Sequence, residues 1–238
     1  MTGPSARLRA LILRHEAASP PGLMSEWLAA QAAEVDELRI DLEDPQVDPR
    51  DFDLIVSLGS EFPAYDDSRA FVPRESRLLH RAVNADVPVL GLCFGGQMLA
   101  HVLGGAVFRA PGSEIGWMRV RSRDPELVPE GPWFQWHFDT FTLPPGATLV
   151  AESDLGPQAF VAGRSLGLQF HPELTLQIME DWVRAYRHEL DAEGVDPDAL
   201  LVETERRIQD SRRRAWQLLE RYLTAIVRGG ERASEHQG

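Results

Sequence analysis

The chain contains a single cysteine, and the residues around it suit a nucleophile. Cys93 lies in Gly91-Leu92-Cys93-Phe94-Gly95-Gly96-Gln97, a G-x-C-x-G pattern that closes the apolar run Val87 to Leu92. A sharp turn there, between strand and helix, would lift the side chain to the carboxyl edge of a sheet. Glycines two positions before and after let the backbone pass closely without Cβ clashes. The following helix aims its positive N-terminal end at the sulfur, which favours thiolate. A thiolate nucleophile needs a base, and the base needs an orienter. His171 closes Gly167-Leu168-Gln169-Phe170-His171-Pro172-Glu173. Pro172 stops that strand, and Glu173 can reach back to the imidazole and fix its tautomer. Cys93, His171 and Glu173 therefore form a candidate set for covalent catalysis. The plain alternative is an inert buried cysteine and a histidine satisfied in the core.

The elements that must position this set alternate in the first half. Apolar runs at Leu8–Leu13, Asp53–Leu58 and Val87–Leu92, with an alternating segment at Glu37–Leu42, read as strands. Gly22–Ala33, Phe71–Val83 and Gln97–Leu103 read as helices, the last stopped by Gly104-Gly105. This order indicates a doubly wound, mostly parallel α/β sheet flanked by helices. Short β-like runs follow at 106–109, 117–121, 133–137, 148–151, 158–162 and 166–170, as expected for hairpins or a small antiparallel sheet appended to the parallel one. Leu174–Leu190 is helical again. Asp198–Val227 reads as one long amphipathic helix, with Leu201, Ile208, Ala215, Leu219, Tyr222 and Ile226 on its apolar side. Arg206, Arg207 and Arg212 to Arg214 crowd its polar side, where Glu203, Glu205 and Asp210 can pair with them; the alternative is a docking surface for an acidic partner. The last ten residues are polar and read as frayed. The expected organisation is one domain over residues 1–190 with a helical extension over 191–238 packed on it.

Composition narrows the function. The chain has 238 residues, 24 basic against 37 acidic, for a net charge of −13. All the basic residues are arginine, so lysine Schiff-base, P-loop and lysine general-base chemistry are excluded. Such an acidic chain is a poor nucleic-acid binder. One cysteine makes no internal disulfide and no cysteine-rich metal site, which suits a cytoplasmic protein. No apolar h-region follows the N-terminal arginines, and no apolar run approaches membrane-spanning length.

GLCFGGQ around Cys93 and LQFHPE around His171 together resemble the class I (triad) glutamine amidotransferase family, and the resemblance spans residues 7 to 190. Glu114-Ile115-Gly116-Trp117 and Trp136-His137-Phe138-Asp139-Thr140-Phe141 further resemble its stand-alone, GMP-synthase-like branch. The resemblance implies that Cys93 attacks the side-chain amide carbon of glutamine. His171 would take the thiol proton and deliver it to ammonia, with Glu173 orienting the ring. The oxyanion would be held by the backbone N–H of Gly59 and Phe94, and the γ-glutamyl thioester would be hydrolysed. Gln97 would help hold the substrate, with His137, Phe138 and Asp139 near it. No cofactor is implied. No synthetase sequence follows, so a separate synthetase, or another acceptor outside this chain, is the expected recipient of the ammonia.

Some residues depart from the family pattern. Ser57-Leu58-Gly59-Ser60 stands where Ser-Gly-Gly-Pro is common, Phe138 where glycine is common in His-Gly-Asp, and Gly96 where histidine is frequent. Phe138 would narrow the substrate mouth. A γ-glutamyl peptide or conjugate fits the same geometry as an alternative substrate, and a regulatory or binding module with a vestigial site is a third reading. The protease and deglycase group with a cysteine elbow is disfavoured because Phe94, not histidine, follows the cysteine. His137 and Asp139 lack the neighbours of a metal site. His101 is expected to pack on the elbow helix, Trp117, Trp133 and Trp136 to lie in the core, and Asp66-Asp67 to cap or turn the chain.

Overall fold

The protein is described from a computed structural model covering residues 7–44, 46–227 and 229. Five strands build the parallel part of the sheet: β1 (Arg9–Arg14), β2 (Glu34–Arg39), β3 (Leu54–Ser57), β4 (Val89–Leu92) and β9 (Ser165–Leu168). Four more, β5 (Val107–Ser122), β6 (Gly131–Phe141), β7 (Thr148–Glu152) and β8 (Pro157–Ala162), pair antiparallel. The strand order is β2-β1-β3-β4-β9-β8-β7-β5-β6. The antiparallel strands thus extend the parallel sheet from β9 outward, as hairpins appended to it. The two short runs at 106–109 and 117–121 are one strand, β5, whose pairing with β6 is interrupted between Arg109 and Glu114.

Alternation of side chains divides the central strands between two cores. Ala10, Ile12, Leu54, Val56, Leu90 and Leu92 face one way, against α1 (Leu23–Ala30) and the long helix α6 (Pro197–Arg221). Leu11, Leu13, Ile55 and Val89 face the other way, against α2 (Phe71–Asn84) and α3 (Phe94–Val102). Both faces are covered, so these strands read as unbroken apolar runs. Each fully buried Leu or Ile contributes roughly 1.5–3 kcal/mol. A third core joins Ile115, Trp117, Phe134 and Trp136 of β5 and β6 to α4 (Leu176–Ala185) and the first half of α6.

Several elements fall elsewhere than their sequence pattern predicts. β2 is Glu34–Arg39, not Glu37–Leu42, because its place is fixed by parallel pairing with β1 at the sheet edge. Most of its residues are exposed, so no apolar pattern marks it. Residues 174–190 hold two helices, α4 and α5 (Arg187–Glu193), that break at Tyr186. The elbow helix begins at Phe94, directly after the cysteine. α6 is capped by Asp196, whose side chain accepts from the Asp198 and Ala199 amides. Its buried stripe runs through Leu200, Thr204, Ile208, Ser211 and Ala215, so Leu200 and not Leu201 faces inward. A π-helical turn, Tyr222–Val227, finishes it, and the Tyr222 hydroxyl donates to the Arg164 carbonyl. Arg207 pairs with Glu203 and Arg213 with Asp210, whereas Arg212 reaches Glu26 on α1. The last ten residues, Gly229 apart, lie outside the described residues. Among the described residues no helix is long and apolar enough to cross a membrane.

Candidate active site

β4 ends at Leu92 and α3 begins at Phe94, so Cys93 alone makes the turn between them. Its backbone sits at φ 50°, ψ −105°, a strained conformation for a residue with a side chain. The turn is held by close packing: a Cβ on Gly95 would stand 2.2 Å from the Ser57 carbonyl oxygen, and one on Gly91 2.3 Å from the Gly95 oxygen. Gly96, where the family often carries histidine, has the Leu168 carbonyl in the same position at 2.3 Å. The Cys93 amide donates to the Leu168 carbonyl at the end of β9, which brings the two sheet edges together.

Just beyond β9, His171 comes to the same edge. Its amide donates to the Phe134 carbonyl on β6, and its ring lies edge-on to Trp182 at 4.8 Å. Nδ1 of His171 stands 2.7 Å from Oε1 of Glu173, and both side chains are buried. Nε2 is buried and has no hydrogen-bond partner, as is the second Glu173 oxygen. Burial alone would push this imidazole toward its neutral form. The Glu173 carboxylate and the Cys93 sulfur outweigh burial and raise its pKa to about 10. Both partners thus favour the charged form of the ring. Gly59, two residues beyond the end of β3, passes over this pair: a Cβ there would lie 3.8 Å from the Cys93 Cβ.

A cleft opens over the sulfur. Its lining includes Gly59, Ser60, Cys93, Phe94, Gln97, His171 and the run Trp136 to Asp139. Gln97 is buried, and its amide donates to the Asp139 carbonyl and to Oε1 of Gln169, each at 3.2 Å. His137 Nδ1 donates to the same Asp139 carbonyl at 3.0 Å. Its Nε2 lies 3.0 Å from Glu114 but is not aligned for a hydrogen bond. Among the described residues no cluster of three or more His, Cys, Asp or Glu side chains could hold a metal ion. Phe138 is half-buried at the mouth, with the Arg109 guanidinium 4.5 Å above its ring. Burial raises the Asp139 pKa, against Arg109 and the Tyr65 hydroxyl, which favour its anion. The far rim is acidic: burial first, then Glu61, Glu16 and Glu189, raise the Tyr186 pKa.

The structure also places residues that the sequence patterns do not single out. Gln169 donates its amide to the Cys93 sulfur at 3.7 Å, and its position two residues before His171 was the only hint. His15 and Glu75 form a buried pair behind Gly59, and no local motif marks either. Trp136 lines the cleft instead of serving only the core, while Trp133 is fully buried. His101 is exposed on α3, not packed, because it lies on the outer face of that helix. Asp66 turns the chain by accepting from the Ser68 amide.

These features group the chain with open α/β-sheet proteins that carry a strained cysteine turn, and a buried histidine–carboxylate pair, at the carboxyl edge of the sheet. The profile described as "Glutamine amidotransferase class-I" matches residues 30–184, and the chain belongs to that family. It is 37% identical over 126 residues to the GMP synthase [glutamine-hydrolyzing] of Thermus thermophilus, 48% of this chain and 25% of that protein. The chain thus spans about a quarter of the length of that relative. It is 29% identical over 209 residues to the glutamine amidotransferase-like protein YfeJ of Salmonella typhimurium, 79% of this chain and 85% of that one. The crystal structure of a glutamine amidotransferase from Thermotoga maritima superimposes with a TM-score of 0.85 at 34% identity, covering 92% of this chain and 99% of that one.

Proposed function

We propose that the protein hydrolyses the side-chain amide of glutamine through a Cys93–His171–Glu173 triad. One observation carries this reading: the buried, unpartnered Nε2 of His171 sits beside the sulfur of a strained elbow, in an open cleft. The sulfur attacks the amide carbon, and a C–S bond forms as the carbonyl π pair moves to oxygen. The amide N–H groups of Gly59 and Phe94 receive that oxyanion. The proton held on His171 passes to the departing nitrogen, the C–N bond breaks, and ammonia leaves a γ-glutamyl thioester. His171 then takes a proton from water, which attacks the thioester and releases glutamate. Glu173 orients the ring and stabilises its charged form. Gln97 holds Asp139 and Gln169 in place around the sulfur, and His137 and Phe138 shape the substrate mouth. The ammonia passes to a separate synthetase.

A γ-glutamyl peptide or conjugate is the second reading. It is favoured by the extension of the cleft past the sulfur to Trp182, Tyr186 and Glu189, space that glutamine does not need. The test measures glutamate released from glutamine and from γ-glutamyl dipeptides by the native protein, Cys93→Ala and His171→Ala. Glutamine turnover lost in both variants supports the first reading. Turnover of dipeptides alone supports the second. No turnover of either substrate, with no γ-glutamyl adduct on Cys93 by mass spectrometry, overturns both.

A further inference from the structure

A second histidine–carboxylate pair lies behind the cleft. His15, at the end of β1, and Glu75, on α2, are both completely buried. His15 Nε2 is 2.5 Å from Glu75 Oε2, and His15 Nδ1 is 3.0 Å from the Gly59 carbonyl oxygen. A carboxylate and a carbonyl both accept, so the ring donates at both nitrogens. The other Glu75 oxygen accepts from the Ser57 hydroxyl at 2.5 Å. Ser57 ends β3, two residues before Gly59. The His15 ring also packs on the Phe94 ring, with centroids 4.6 Å apart.

The cost of burying this pair needs a reason, since charged groups buried without a role are replaced by apolar packing at little loss. The two residues it touches supply one. Gly59 and Phe94 come from separate segments, and their amides must converge on one oxygen. The Gly59 N–H lies in the Leu58–Gly59 peptide, whose carbonyl accepts from the Gly95 amide at 3.1 Å; the bond from His15 to the Gly59 carbonyl holds the other side of the same residue, and the ring contact bears on the first residue of α3. A glycine without such a tie has wide conformational freedom. We propose that His15, held by Glu75, is a positioning residue that sets the spacing of the two oxyanion donors. The inference rests on the reading of Gly59 and Phe94 as those donors.

Asparagine and glutamine divide the two bonds of His15. His15→Asn places an amide N–H near the position of Nδ1 and retains the Gly59 bond. His15→Gln places it near Nε2 and retains only the Glu75 bond. The readout is independent of glutamine: the burst of p-nitrophenolate when Cys93 is acylated by p-nitrophenyl acetate. There the S–C bond forms and the ester C–O bond breaks, with the electron pair leaving on the phenolate. Misplacing a donor by about 1 Å costs about 100-fold. His15→Gln is expected to lose about that much in acylation rate at unchanged ester affinity, and His15→Asn to recover most of it. Glu75→Ala, which frees the ring without removing it, is expected to lose about 10-fold and serves if His15→Gln does not fold. Equal rates in the Asn and Gln variants, or a native rate in Glu75→Ala, overturn the proposal. Absence of glutamine and γ-glutamyl turnover in the native protein, with the acylation pattern intact, overturns the substrate reading and leaves this one standing.

Discussion

Gly59 and His171 lie far apart in sequence, in segments that share no motif, yet a Cβ on Gly59 would stand 3.3 Å from Cε1 of the His171 ring. That contact is tighter than a normal van der Waals approach, so an added methyl must displace either the ring or the loop. Gly59→Ala is expected to lower kcat for glutamate release by about 10-fold, since the ring or loop must give by a few tenths of an ångström and a full shift of about 1 Å costs about 100-fold. Its urea midpoint should stay close to native. A native kcat would show that the loop does not take part.

Glu173→Gln tests the orienter. The amide oxygen can still accept from Nδ1, but the charge that raises the imidazole pKa is gone. The alkaline limb of kcat/KM should move to lower pH, and kcat should fall by up to about 10⁴-fold, the cost of neutralising the orienter in a Ser-His-Asp triad. An unmoved alkaline limb would assign Glu173 to packing alone.

Stability should carry the same signature. His171 has a pKa of about 10 when folded, against an ordinary 6.5. Burial also opposes the charge on His15, but Glu75 raises its pKa above the ordinary value. The native state therefore holds more protons than the unfolded chain in this window. The stabilisation is complete below about 6.5 and is lost as pH rises through about 10. The melting temperature should fall across that range, and less steeply in His171→Gln. Parallel slopes for the two proteins would contradict the assignment.

Gly95→Ala tests the elbow as a packing device. Its Cβ would lie 2.2 Å from backbone oxygen, which cannot swing aside as a side chain can. The cost is expected to be about 1–3 kcal/mol or more in urea unfolding, with loss of Cys93 labelling by electrophiles. Unfolding at the native midpoint would mean that the turn relaxes freely.

Asp196→Ala is the contrasting case. It removes the cap of α6, remote from the cleft, and should cost about 1 kcal/mol. Glutamate release by the folded variant should match the native rate.

Much of the site was legible in local sequence because each part sits at a strand end with its own punctuation. Gly91 and Gly95 frame Cys93, and Pro172 ends the chain's approach to His171 before Glu173. The alternation of apolar runs and helices gave the doubly wound sheet for the same reason: strands buried on both faces have no polar positions. β2 was misplaced because an exposed edge strand has no apolar pattern to read.

Residue types and spacing thus determined the candidate nucleophile, its candidate partners and the parallel half of the sheet, since strand burial and turn chemistry act over a few neighbouring residues. Tertiary structure decided the rest. It joined the antiparallel strands to the same sheet, placed Gln169 against the sulfur and put His15 and Glu75 behind Gly59. Those relationships depend on which strand ends meet at one edge, and hydrogen bonds between distant segments leave no periodic trace in the chain.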